Sequence, residues 1–558
     1  MKSKKITGAE ILVRVLIEQG TDIVFGYPGG QVMDIYESLF HHRKEIKHIL
    51  TAHEQGAAHA ADGYARATGK TGVVIATSGP GATNLVTGIA AAYMDSIPVV
   101  AITGNVPTSQ IGTDSFQEVD ITGITIPITK HNFFVDDVAK LAGVLRKAFL
   151  LAASGRPGPV LVDIPKDVQE ALFPYEPQGP VMKESPFAAK DIRIKEAAAI
   201  INQAKRPYIY FGGGIISSDA EEELLKLSEL TDAPMGCSMM GISAIPSDYP
   251  RFLGMQGMHG HYSSTVAMNK ADVIIALGVR FNDRSTNDRL KFEPNAKVVH
   301  IDIDGSELSK TVEAYCGLRG ELKQTLQSLL PLIEKRENEI WWKNIKSLKN
   351  SEAAMADKRE GFTPANLYSI LNKFKNENTP VVTDVGQHQV WASQYMNFYK
   401  KRKFISNCGL GAMGYGMGAA IGASFGLNRK EKVLLITGDG SFGMNLNELA
   451  TAVTYNIPMT IVILNNHTLG MVRQLQTMFY HKHYSATDID RKTDFVLLAN
   501  SFGLKARKTE NLSELEKALK EADNCKGPFL IECVIDKDES VLPMFKPGGS
   551  TEDIITEI

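Results

Sequence analysis

The chain has 558 residues, enough for three or four domains that each bury a hydrophobic core. Sixty Lys and Arg against 63 Asp and Glu leave a formal net charge of −3, which argues against a nucleic-acid-binding or membrane-surface protein. The five cysteines are scattered without a Cys-x-x-Cys pair, which argues against a disulfide framework or a thiolate zinc site. We expect reduced thiols and a cytoplasmic protein.

Two charge-free windows, 71–94 and 404–428, are long enough to span a bilayer. Glycines interrupt both windows, so we expect buried glycine-rich turns of an α/β protein instead of membrane helices. The basic N-terminus is typical of a secretory signal, but Glu10, Arg14 and Glu18 interrupt the apolar run that should follow. The sequence therefore predicts a soluble protein without a signal peptide.

The first predicted elements are alternating strands and helices. An Ala-rich pattern over 57–67 predicts a helix, and Glu54 lies where a strand becomes this helix, near its first turn. A continuous apolar run over 72–77 predicts a strand buried on both faces. A glycine-rich turn at 79–81, an Ala-rich segment and a second strand over 99–103 follow. Together they form the pattern of a βαβ unit.

The middle of the chain predicts a different α/β segment. Apolar strands over 207–211, 271–277 and 297–301 each end in a glycine or an acidic residue, as in nucleotide-binding sheets. The Pro-rich stretch 173–186 and the charged stretch 335–360 are the expected linkers on either side.

The last third repeats the first unit. A strand over 432–437 runs into Gly-Asp-Gly at 438–440, and a helical segment over 447–455 and a strand over 459–464 follow. The spacing from the glycine turn to the next Ile-Pro is eighteen residues in the first copy and nineteen in the second. This agreement along a whole unit indicates an internal duplication.

These patterns predict an α/β protein of three doubly wound parallel-sheet domains, the first and third related to each other. We place the first domain at 1–172, the second at 187–335, the third at 361–545 and a C-terminal tail at 546–558. Ligands of such sheets bind beyond the carboxyl ends of the strands, so we expect the functional residues at these strand ends.

Polar residues follow two strands of the third domain. Asp439 and Asn466 come at adjacent strand ends, so they can share one ligand. A carboxylate, an amide oxygen and the backbone carbonyl of Thr468 suit Mg²⁺, and the flanking glycines let the backbone approach a diphosphate. Alternatively, Gly-Asp-Gly is only a turn and Asn-Asn only the start of a loop; their placement at two strand ends favours the cation.

Glu54 has two interpretations, since it could perform acid–base chemistry or only favour the dipole of the helix that it begins. His53 and His59 are given no role, because single histidines near a helix start are more often ordinary surface or core groups. The glycine-rich turns at 29–30 and 409–414 could serve close backbone packing alone. No Gly-Lys-Ser/Thr follows them, which argues against an NTPase.

The His-Glu-Gln-Gly segment at 53–56, the Gly-Asp-Gly turn and the downstream Asn-Asn together resemble the thiamine-diphosphate enzymes, and most closely the acetohydroxyacid synthase (acetolactate synthase) large subunits. The resemblance runs from about Gly8 to Ile555, and it implies a pyrimidine-binding first domain, a central domain and a diphosphate-binding third domain. Its most specific strings are Tyr27-Pro28-Gly29-Gly30 and the segments 77–84, 111–118, 154–160, 385–389 and 470–474.

The resemblance implies that Glu54 hydrogen-bonds the aminopyrimidine ring of thiamine diphosphate and that Met413 presses the two cofactor rings toward each other. Asp439, Asn466 and the carbonyl of Thr468 would hold Mg²⁺. Gln117 would lie beside the reacting carbon. The other implied cofactor-binding residues are Tyr27, Pro28, Gly29, Gly30, Pro80, Asn84, Val385, Gly386, Gln387, His388, Gly411, Gly438, Gly440, Ser441, Gly470, Met471 and Val472.

The implied reaction decarboxylates pyruvate and joins the remaining hydroxyethyl unit to a second 2-oxo acid, pyruvate or 2-oxobutyrate, as the first common step of branched-chain amino acid synthesis. Phe116, Lys166 and Arg284 would line the substrate channel, and the planar fork of Arg284 suits a carboxylate. Leu475 stands where family members that prefer 2-oxobutyrate carry Trp. We therefore expect a weaker preference for the larger acceptor.

The same family binds FAD in its central domain without net redox chemistry. The matching positions here are Arg156, Gly212, Gly213, Gly254, Met255, His259, Gly278, Arg280, Asp302, Ile303 and Glu321. These residues could instead merely close strands. Two departures from the family pattern, Asn282 and Glu321, both stand where Asp is usual.

Two other functions stay open. One is a different thiamine-diphosphate enzyme: a catabolic FAD-free acetolactate synthase, a decarboxylase or a pyruvate oxidase. The other is a non-catalytic paralogue, against which the presence of Glu54, Asp439 and Asn466 argues. In this family the active site forms between two chains, so the resemblance implies a homodimer or homotetramer, often with a small regulatory subunit.

Overall fold

The computed structural model describes residues 5–181, 187–286, 296–489, 491–546, 548 and 553–557. These residues contain three six-stranded parallel sheets and two short antiparallel pairs. Helices cover both faces of each large sheet, so the chain is an α/β protein of three doubly wound domains, as the sequence predicted. Within the described residues, no helix combines the length and apolarity that crossing a membrane requires.

The first sheet contains β2 (Ile23–Tyr27), β3 (Lys47–Leu50), β4 (Gly72–Ala76), β5 (Val99–Asn105), β6 (His131–Phe134) and β7 (Val160–Pro165). A short pair, β1 (Lys5–Thr7) and β8 (Leu172–Pro174), closes this domain. Its helices are α1 (Gly8–Glu18), α2 (Met33–His41), α3 (Glu54–Thr68), α4 (Pro80–Asn84), α5 (Val86–Asp95), α6 (Ile121–Thr125), α7 (Val138–Ala153) and α8 (Lys166–Glu170). β4, β5 and β7 are buried along their whole length, as continuous apolar runs predict.

The central sheet contains β9 (Pro207–Phe211), β10 (Met235–Cys237), β11 (Phe252–Met255), β12 (Val273–Leu277), β13 (Lys297–Asp302) and β14 (Cys316–Arg319). Its helices are α9 (Asp191–Asn202), α10 (Gly213–Ser217), α11 (Glu221–Thr231), α12 (Tyr262–Lys270), α13 (Asp283–Thr286), α14 (Leu322–Leu329) and α15 (Glu339–Met355). The strand order β11-β10-β9-β12-β13-β14 is that of dinucleotide-binding sheets, which reverse direction between their first and fourth strands.

The third sheet contains β15 (Val381–Thr383), β16 (Phe404–Ile405), β17 (Val433–Gly438), β18 (Met459–Asn465), β19 (Lys505–Thr509) and β20 (Phe529–Val534). The C-terminal segment adds the pair β21 (Met544–Phe545) and β22 (Ile554–Ile555). The helices are α16 (Pro364–Phe374), α17 (Gln387–Tyr395), α18 (Tyr415–Gly426), α19 (Asp439–Phe442), α20 (Glu448–Thr454), α21 (Gly470–Phe479), α22 (Phe495–Phe502) and α23 (Leu512–Asn524).

The first and third sheets have the same topology. Their orders are β3-β2-β4-β5-β7-β6 and β16-β15-β17-β18-β20-β19, so each strand of one has a counterpart in the other. This confirms the internal duplication. In each sheet the strand order changes direction between two neighbouring strands, which are β2 and β4 in the first sheet and β15 and β17 in the third. Sheets of this kind bind ligands at that switch point.

The first and third domains pack against each other through α3 and α18. Glycines let the two helices approach closely: a Cβ added to Gly63 would lie 2.2 Å from the carbonyl oxygen of Ala419, and one added to Gly422 would lie 1.8 Å from that of Ala60. Both helices are almost wholly buried. Their N-termini lie side by side, which brings the segment before α18 close to the helix that Glu54 begins.

The stretch 335–360 differs from the expected linker. It contains α15, whose Trp341 and Ile345 are buried in the core of the central domain. The Trp341 ring N–H donates to the Pro207 carbonyl at 3.0 Å. Many charges are on the exposed face of this helix, so charge density alone was misleading. Of the other expected linker, 173–186, the last five residues lie outside the described residues, as do residues 1–4 and part of the tail.

Candidate functional site

The point between β15 and β17 has the features of a phosphate site. Gly386, with φ of +152°, ends the turn after β15, and α17 begins directly behind it. A Cβ on Gly386 or Gly438 would lie 2.8 Å or 3.0 Å from the His388 ring. His388 is buried and its Nε2 has no hydrogen-bond partner. Two glycines, a helix N-terminus and an unpaired buried donor or acceptor fit a diphosphate group.

The predicted cation ligands meet beside this cradle. Asp439 begins α19 after β17, and Asn466 follows β18, which pairs with β17 along its whole length. The Asn466 amide donates to Gln387 Oε1 at 3.2 Å, and a Cβ on Gly470 would lie 1.9 Å from that same oxygen. The structure therefore brings Gln387, Asn466 and Gly470 together, and the Asn466 backbone reaches Asp439.

The donor set at Asp439 suits a hard cation. Burial raises the pKa of Asp439 to about 6, and no Lys or Arg among the described residues pairs with it. The Thr468 hydroxyl donates to the Thr487 carbonyl at 2.9 Å, and the Thr468 backbone N–H donates to the Asn466 side chain at 3.2 Å. Neither hydrogen bond uses the carbonyl oxygen of Thr468. In the part of the chain described, no three His, Cys, Asp or Glu converge, so the oxygen donors fit Mg²⁺ better than a transition metal.

Met413 lies over the same edge of the sheet. A Cβ on Gly440 would be 3.8 Å from the Met413 methyl group. Gly411 precedes it with φ of +70°, and Ser441 is buried in α19. Met471 and Val472 are in the first turn of α21. Val385 follows β15 and donates its backbone N–H to Asp384 at 2.8 Å. The third-domain residues predicted to bind the cofactor thus belong to the segments that follow β15, β16, β17 and β18.

Glu54 is the first residue of α3, with His53 as the N-cap. It is half-buried, and the Asn84 amide donates to its carboxylate at 2.9 Å. Pro80 begins α4 directly beside it. Tyr27 is the last residue of β2, and Gly29 follows it. A Cβ on Gly29 would lie 2.5 Å from Thr77, which follows the neighbouring strand β4. The first-domain residues therefore form a second cluster at the equivalent point of the duplicated sheet.

The loop between β5 and α6 carries Gln117 and the predicted substrate residue Phe116. Gln117 has φ of +62°, and a Cβ on Gly79 would lie 2.8 Å from its carbonyl oxygen. Phe116 is 85% exposed. Lys166 begins α8 at the end of β7, on the same side of the sheet. Gln117 is thus placed beside the Glu54 cluster, while Phe116 points away from the chain.

The Glu54 cluster and the Asp439 cluster lie in different domains, the first and the third. Among the described residues, no hydrogen bond or ion pair joins Glu54 to Asp439, and each cluster lies at the switch point of its own sheet. Exposed apolar side chains surround both clusters: Tyr27, Met33, Phe116, Leu410, Met444 and Val472. Each half of the site is therefore open on an apolar side.

The central sheet has features of a nucleotide-binding site at the carboxyl ends of its strands. Gly212 and Gly278 end β9 and β12, on either side of the reversal in strand order, and a Cβ on Gly212 would lie 2.6 Å from the Gly278 carbonyl. Gly213 begins α10, and Asp302 ends β13, where burial raises its pKa to about 6. His259 is half-buried, and its buried Nδ1 has no hydrogen-bond partner among the described residues. A close glycine pair and an unpaired buried ring nitrogen fit a dinucleotide.

The remaining predicted flavin residues lie around this edge with structural contacts of their own. Arg156 donates to Glu307 at 2.7 Å, and Arg280 donates to the Met94 carbonyl. The Glu321 carboxylate accepts from the Gln324 amide at 3.1 Å as the cap of α14. Gly254 and Met255 end β11, and Ile303 follows β13.

Two predicted substrate residues lie apart from the rest within one chain. Arg284 is exposed in α13 and contacts the Met258 sulfur at 3.1 Å. Leu475 is half-buried in α21. It directly follows Arg473 and Gln474, which bind the C-terminal segment through Asp538 and Val541. No described contact joins Arg284 or Leu475 to the Gln117 loop.

Three buried acids with contacts to the site were not predicted from the sequence. Glu448 of α20 accepts from the backbone N–H groups of Ala52 and His53 at 3.2 and 3.1 Å, directly before Glu54. Asp95 and Asp384 hold the two ends of the segment that carries Met413. A single buried acid at a strand or helix end is a weak sequence signal, since its partners here are peptide N–H groups far along the chain.

Comparison with known families agrees with this arrangement. Residues 6–124, 194–329 and 384–533 match the models described as thiamine pyrophosphate enzyme N-terminal TPP binding domain, central domain and C-terminal TPP binding domain, respectively. The two TPP binding domains are the duplicated ones, and they contain the Glu54 and the Asp439 cluster.

Relatives match along nearly the whole chain. The probable acetolactate synthase large subunit of Methanocaldococcus jannaschii is 44% identical over 99% of this chain and 95% of the relative. The isozyme 2 and isozyme 3 acetolactate synthase large subunits of Escherichia coli K12 are 42% and 43% identical, over 99% and 98% of this chain and 100% and 98% of the relatives. The chain therefore belongs to the acetolactate synthase large-subunit family of thiamine pyrophosphate enzymes.

Proposed function

We propose that this chain is the catalytic subunit of an acetolactate synthase, which decarboxylates pyruvate and joins the two-carbon hydroxyethyl unit to a second 2-oxo acid. The observation that carries the proposal is the pair of clusters, with Glu54 at one switch point and Asp439 with Asn466 at its duplicated counterpart. Family membership over the full chain supports acetolactate synthesis over a decarboxylase or a pyruvate oxidase.

Bound thiamine diphosphate supplies the nucleophilic carbon and the electron sink that decarboxylation and carbon–carbon bond formation need. The chain supplies binding and orientation. Asp439, Asn466 and the Thr468 carbonyl would hold Mg²⁺, and Gly386, Gly438 and the His388 ring would line the diphosphate. Their support is the buried Asp439 carboxylate, which has no Lys or Arg partner among the described residues, and the His388 Nε2, which has no hydrogen-bond partner.

Glu54 would hold and release the proton that moves during the reaction. Its carboxylate is at a helix N-terminus and accepts one hydrogen bond, from Asn84, so one oxygen is left for a ligand. Gln117, Phe116 and Lys166 would bind substrate from the neighbouring loop and strand end, and Arg284 would pair with the acceptor carboxylate. Leu475 would make the acceptor pocket wider and less selective than Trp would.

We also propose that the central domain binds FAD without net redox chemistry. The close pair Gly212 and Gly278 at the reversal of strand order, together with the unpaired ring nitrogen of His259, supports a dinucleotide there. A visible absorbance spectrum of the purified protein tests this. A flavin spectrum that pyruvate does not bleach is expected; bleaching in step with turnover would indicate an oxidase, and absence of flavin would indicate the FAD-free type.

The assembly is proposed to be at least a homodimer, in which Glu54 of one chain faces Asp439 of the other. Among the described residues of one chain Glu54 makes no hydrogen bond or ion pair with Asp439, and apolar side chains in both domains are exposed, which supports this arrangement. The relatives are named large subunits, which supports a smaller partner subunit. All five cysteines are free, which supports a reducing, cytoplasmic location.

The proposed function is tested by incubating the purified chain with pyruvate, thiamine diphosphate and Mg²⁺, and measuring acetoin after acidification. Acetolactate formation that needs all three additions is the expected result. Removing Mg²⁺ with a chelator should abolish it, and adding Mg²⁺ back should restore it. Release of acetaldehyde without acetolactate would instead assign a simple decarboxylase.

A further inference from the structure

Met413 lies in the segment 407–416, which leads from β16 into the first turn of α18. The middle of this segment is exposed, including Leu410 at 43%, whereas Asn407 and Gly414 at its two ends are buried. Gly411 and Gly414 have φ of +70° and +88°, so the segment turns sharply on both sides of Met413. We call this segment the Met413 loop. Because Gly409, Leu410 and Gly411 are exposed within the described chain, the shape of the loop depends mainly on its ends.

Asp95, the last residue of α5 in the first domain, holds the first end. Its carboxylate accepts from the backbone N–H groups of Gly409 and Cys408 at 2.7 and 2.9 Å, and from the Asn407 side chain at 3.2 Å. Buried Arg66 donates to Asp95 at 2.7 Å and to the Ser406 carbonyl at 2.8 Å. A residue of the first domain thus fixes a loop of the third.

Asp384, directly after β15, holds the second end. Its two carboxylate oxygens accept from the backbone N–H groups of Gly414 and Gly416 at 2.9 and 3.1 Å, and from its neighbour Val385 at 2.8 Å. Asp384 is 1% exposed and pairs with no Lys or Arg among the described residues. Peptide N–H groups are therefore its main partners. Gly414 and Gly416, on either side of Tyr415, and Val385, directly before Gly386, supply them.

Internal contacts close the Met413 loop between these two anchors. The Asn407 side chain accepts from the Ala412 N–H at 2.8 Å, and the Asn445 side chain donates to the Gly414 carbonyl at 2.7 Å. The result places the Met413 methyl group over Gly440, next to Asp439. The contact of Asp384 with Val385 is local, between neighbouring residues, whereas its contacts with Gly414 and Gly416 reach the Met413 loop.

We propose that Asp95 and Asp384 are positioning residues, which hold the Met413 loop in the shape that lets Met413 support bound thiamine diphosphate. The inference rests on the proposed function and names residues that act on the cofactor only through the loop. A buried carboxylate that accepts several N–H groups is hard to replace, because an amide turns an N–H₂ toward at least one of these donors. The loop must then shift, and the cofactor loses its preformed support.

The test compares Asp384→Asn with the matched variant Asp163→Asn. Asp163 is an equally buried carboxylate without an ion-pair partner, but it accepts from Thr103 and Asn105 in the first domain, far along the chain from the Met413 loop. Thiamine diphosphate binding is measured by titration calorimetry with Mg²⁺, and the folded fraction by circular dichroism. We expect the Kd to rise about tenfold in Asp384→Asn and to stay within twofold in Asp163→Asn.

A double-mutant cycle shows whether the effect passes through Met413. Met413→Ala alone should raise the thiamine diphosphate Kd and lower kcat, and adding Asp384→Asn to it should change both by much less than Asp384→Asn does in the wild type. Additive effects, or an Asp384→Asn Kd equal to that of the wild type, would overturn the inference. The KM for pyruvate should change less than kcat.

Gly409→Ala tests the Asp95 anchor without removing a buried charge. Gly409 is exposed, and its new Cβ would lie 2.8 Å from Asp95 Oδ1, so this variant should fold and still weaken cofactor binding. Gly409→Ala also replaces Asp384→Asn as the test if Asp384→Asn fails to fold. Unchanged thiamine diphosphate binding in Gly409→Ala would then contradict the proposal. A wild-type protein that neither binds thiamine diphosphate nor forms acetolactate would refute the proposed function itself; normal wild-type binding with normal variants refutes only the inference.

Discussion

Glu54 is the residue on which the proposed chemistry depends most. Replacing it with Gln leaves an oxygen that can still accept from Asn84, so the start of α3 should keep its structure. The amide cannot take up and release the proton, and we expect kcat for acetolactate formation to fall by about 10²–10⁴-fold. Steady-state kinetics measure this, and the exposed Glu37→Gln on α2 is the control. Activity of Glu54→Gln near that of the control would contradict the assignment.

Leu475 decides the expected acceptor preference. In α21 it is half-buried next to Gln474, which is held by Val541 at 3.0 Å, so its helical position is fixed while its side chain can vary. Leu475→Trp should add a flat apolar wall and increase the preference for 2-oxobutyrate over pyruvate by about tenfold. Competing the two acceptors in one assay measures the ratio. A wild type that already strongly prefers 2-oxobutyrate would refute the role of this position.

Asp163 on β7 makes stability depend on pH. Burial raises its pKa from 3.8 to about 7, against the hydrogen bonds from Thr103 and Asn105. Because the folded state holds the proton more tightly than the unfolded state, this group stabilises the fold fully below about pH 4 and loses that effect as the pH rises through 7. Relative to Asp163→Asn, the wild type should therefore lose about 1–4 kcal/mol of unfolding free energy between pH 4 and 7. Urea unfolding at several pH values measures it, and a constant difference would contradict the prediction.

The contact of α3 with α18 is the structural element that joins the first domain to the third. Gly422→Ala would place a methyl group 1.8 Å from the Ala60 carbonyl, so the helices must separate. We expect a loss of about 2–4 kcal/mol of stability, compared with a small gain for Gly143→Ala in α7, where nothing lies within 4 Å of a new Cβ. Thermal unfolding of both variants compares them, and equal melting temperatures would show that the helices do not pack closely.

Strands were predicted better than other elements. β9 matches its expected bounds, and β4, β5, β17 and β18 differ by one or two residues, because strands buried on both faces are continuous apolar runs. The short or half-exposed strands β6, β10 and β19 lack that pattern. Helix α15 was missed because its charges outnumber the few buried residues that pack it.

The site was predictable where chemistry and strand ends coincide. Asp439 and Asn466 directly follow strands, and Glu54 comes four residues after the end of β3, so their placement at one end of each sheet follows from parallel topology. The contacts of Asp95 with Gly409, and of Glu448 with Ala52, join residues more than 300 positions apart. Nothing local in the sequence specifies such pairs, because they depend on how α3 and α18 dock two domains.

At the scale of the whole molecule, the duplication explains the layout of the site. Two sheets with one topology each offer a switch point, one with the Glu54 cluster and the other with the Asp439 cluster. Docking through α3 and α18 leaves Glu54 and Asp439 without a direct hydrogen bond or ion pair in the described chain, and it leaves apolar side chains of both domains exposed. A second copy of the chain, related by two-fold symmetry, would complete two sites at once.

Co-expression of Glu54→Gln chains with Asp439→Asn chains, each with its own affinity tag, tests this account most directly. In the purified mixed dimer one site contains both changes and the other contains neither, so we predict about half of the wild-type acetolactate formation per dimer, although both parent homodimers are nearly inactive. A mixed dimer no more active than its parents, under conditions in which the wild type is active, would contradict a site built from Glu54 of one chain and Asp439 of the other.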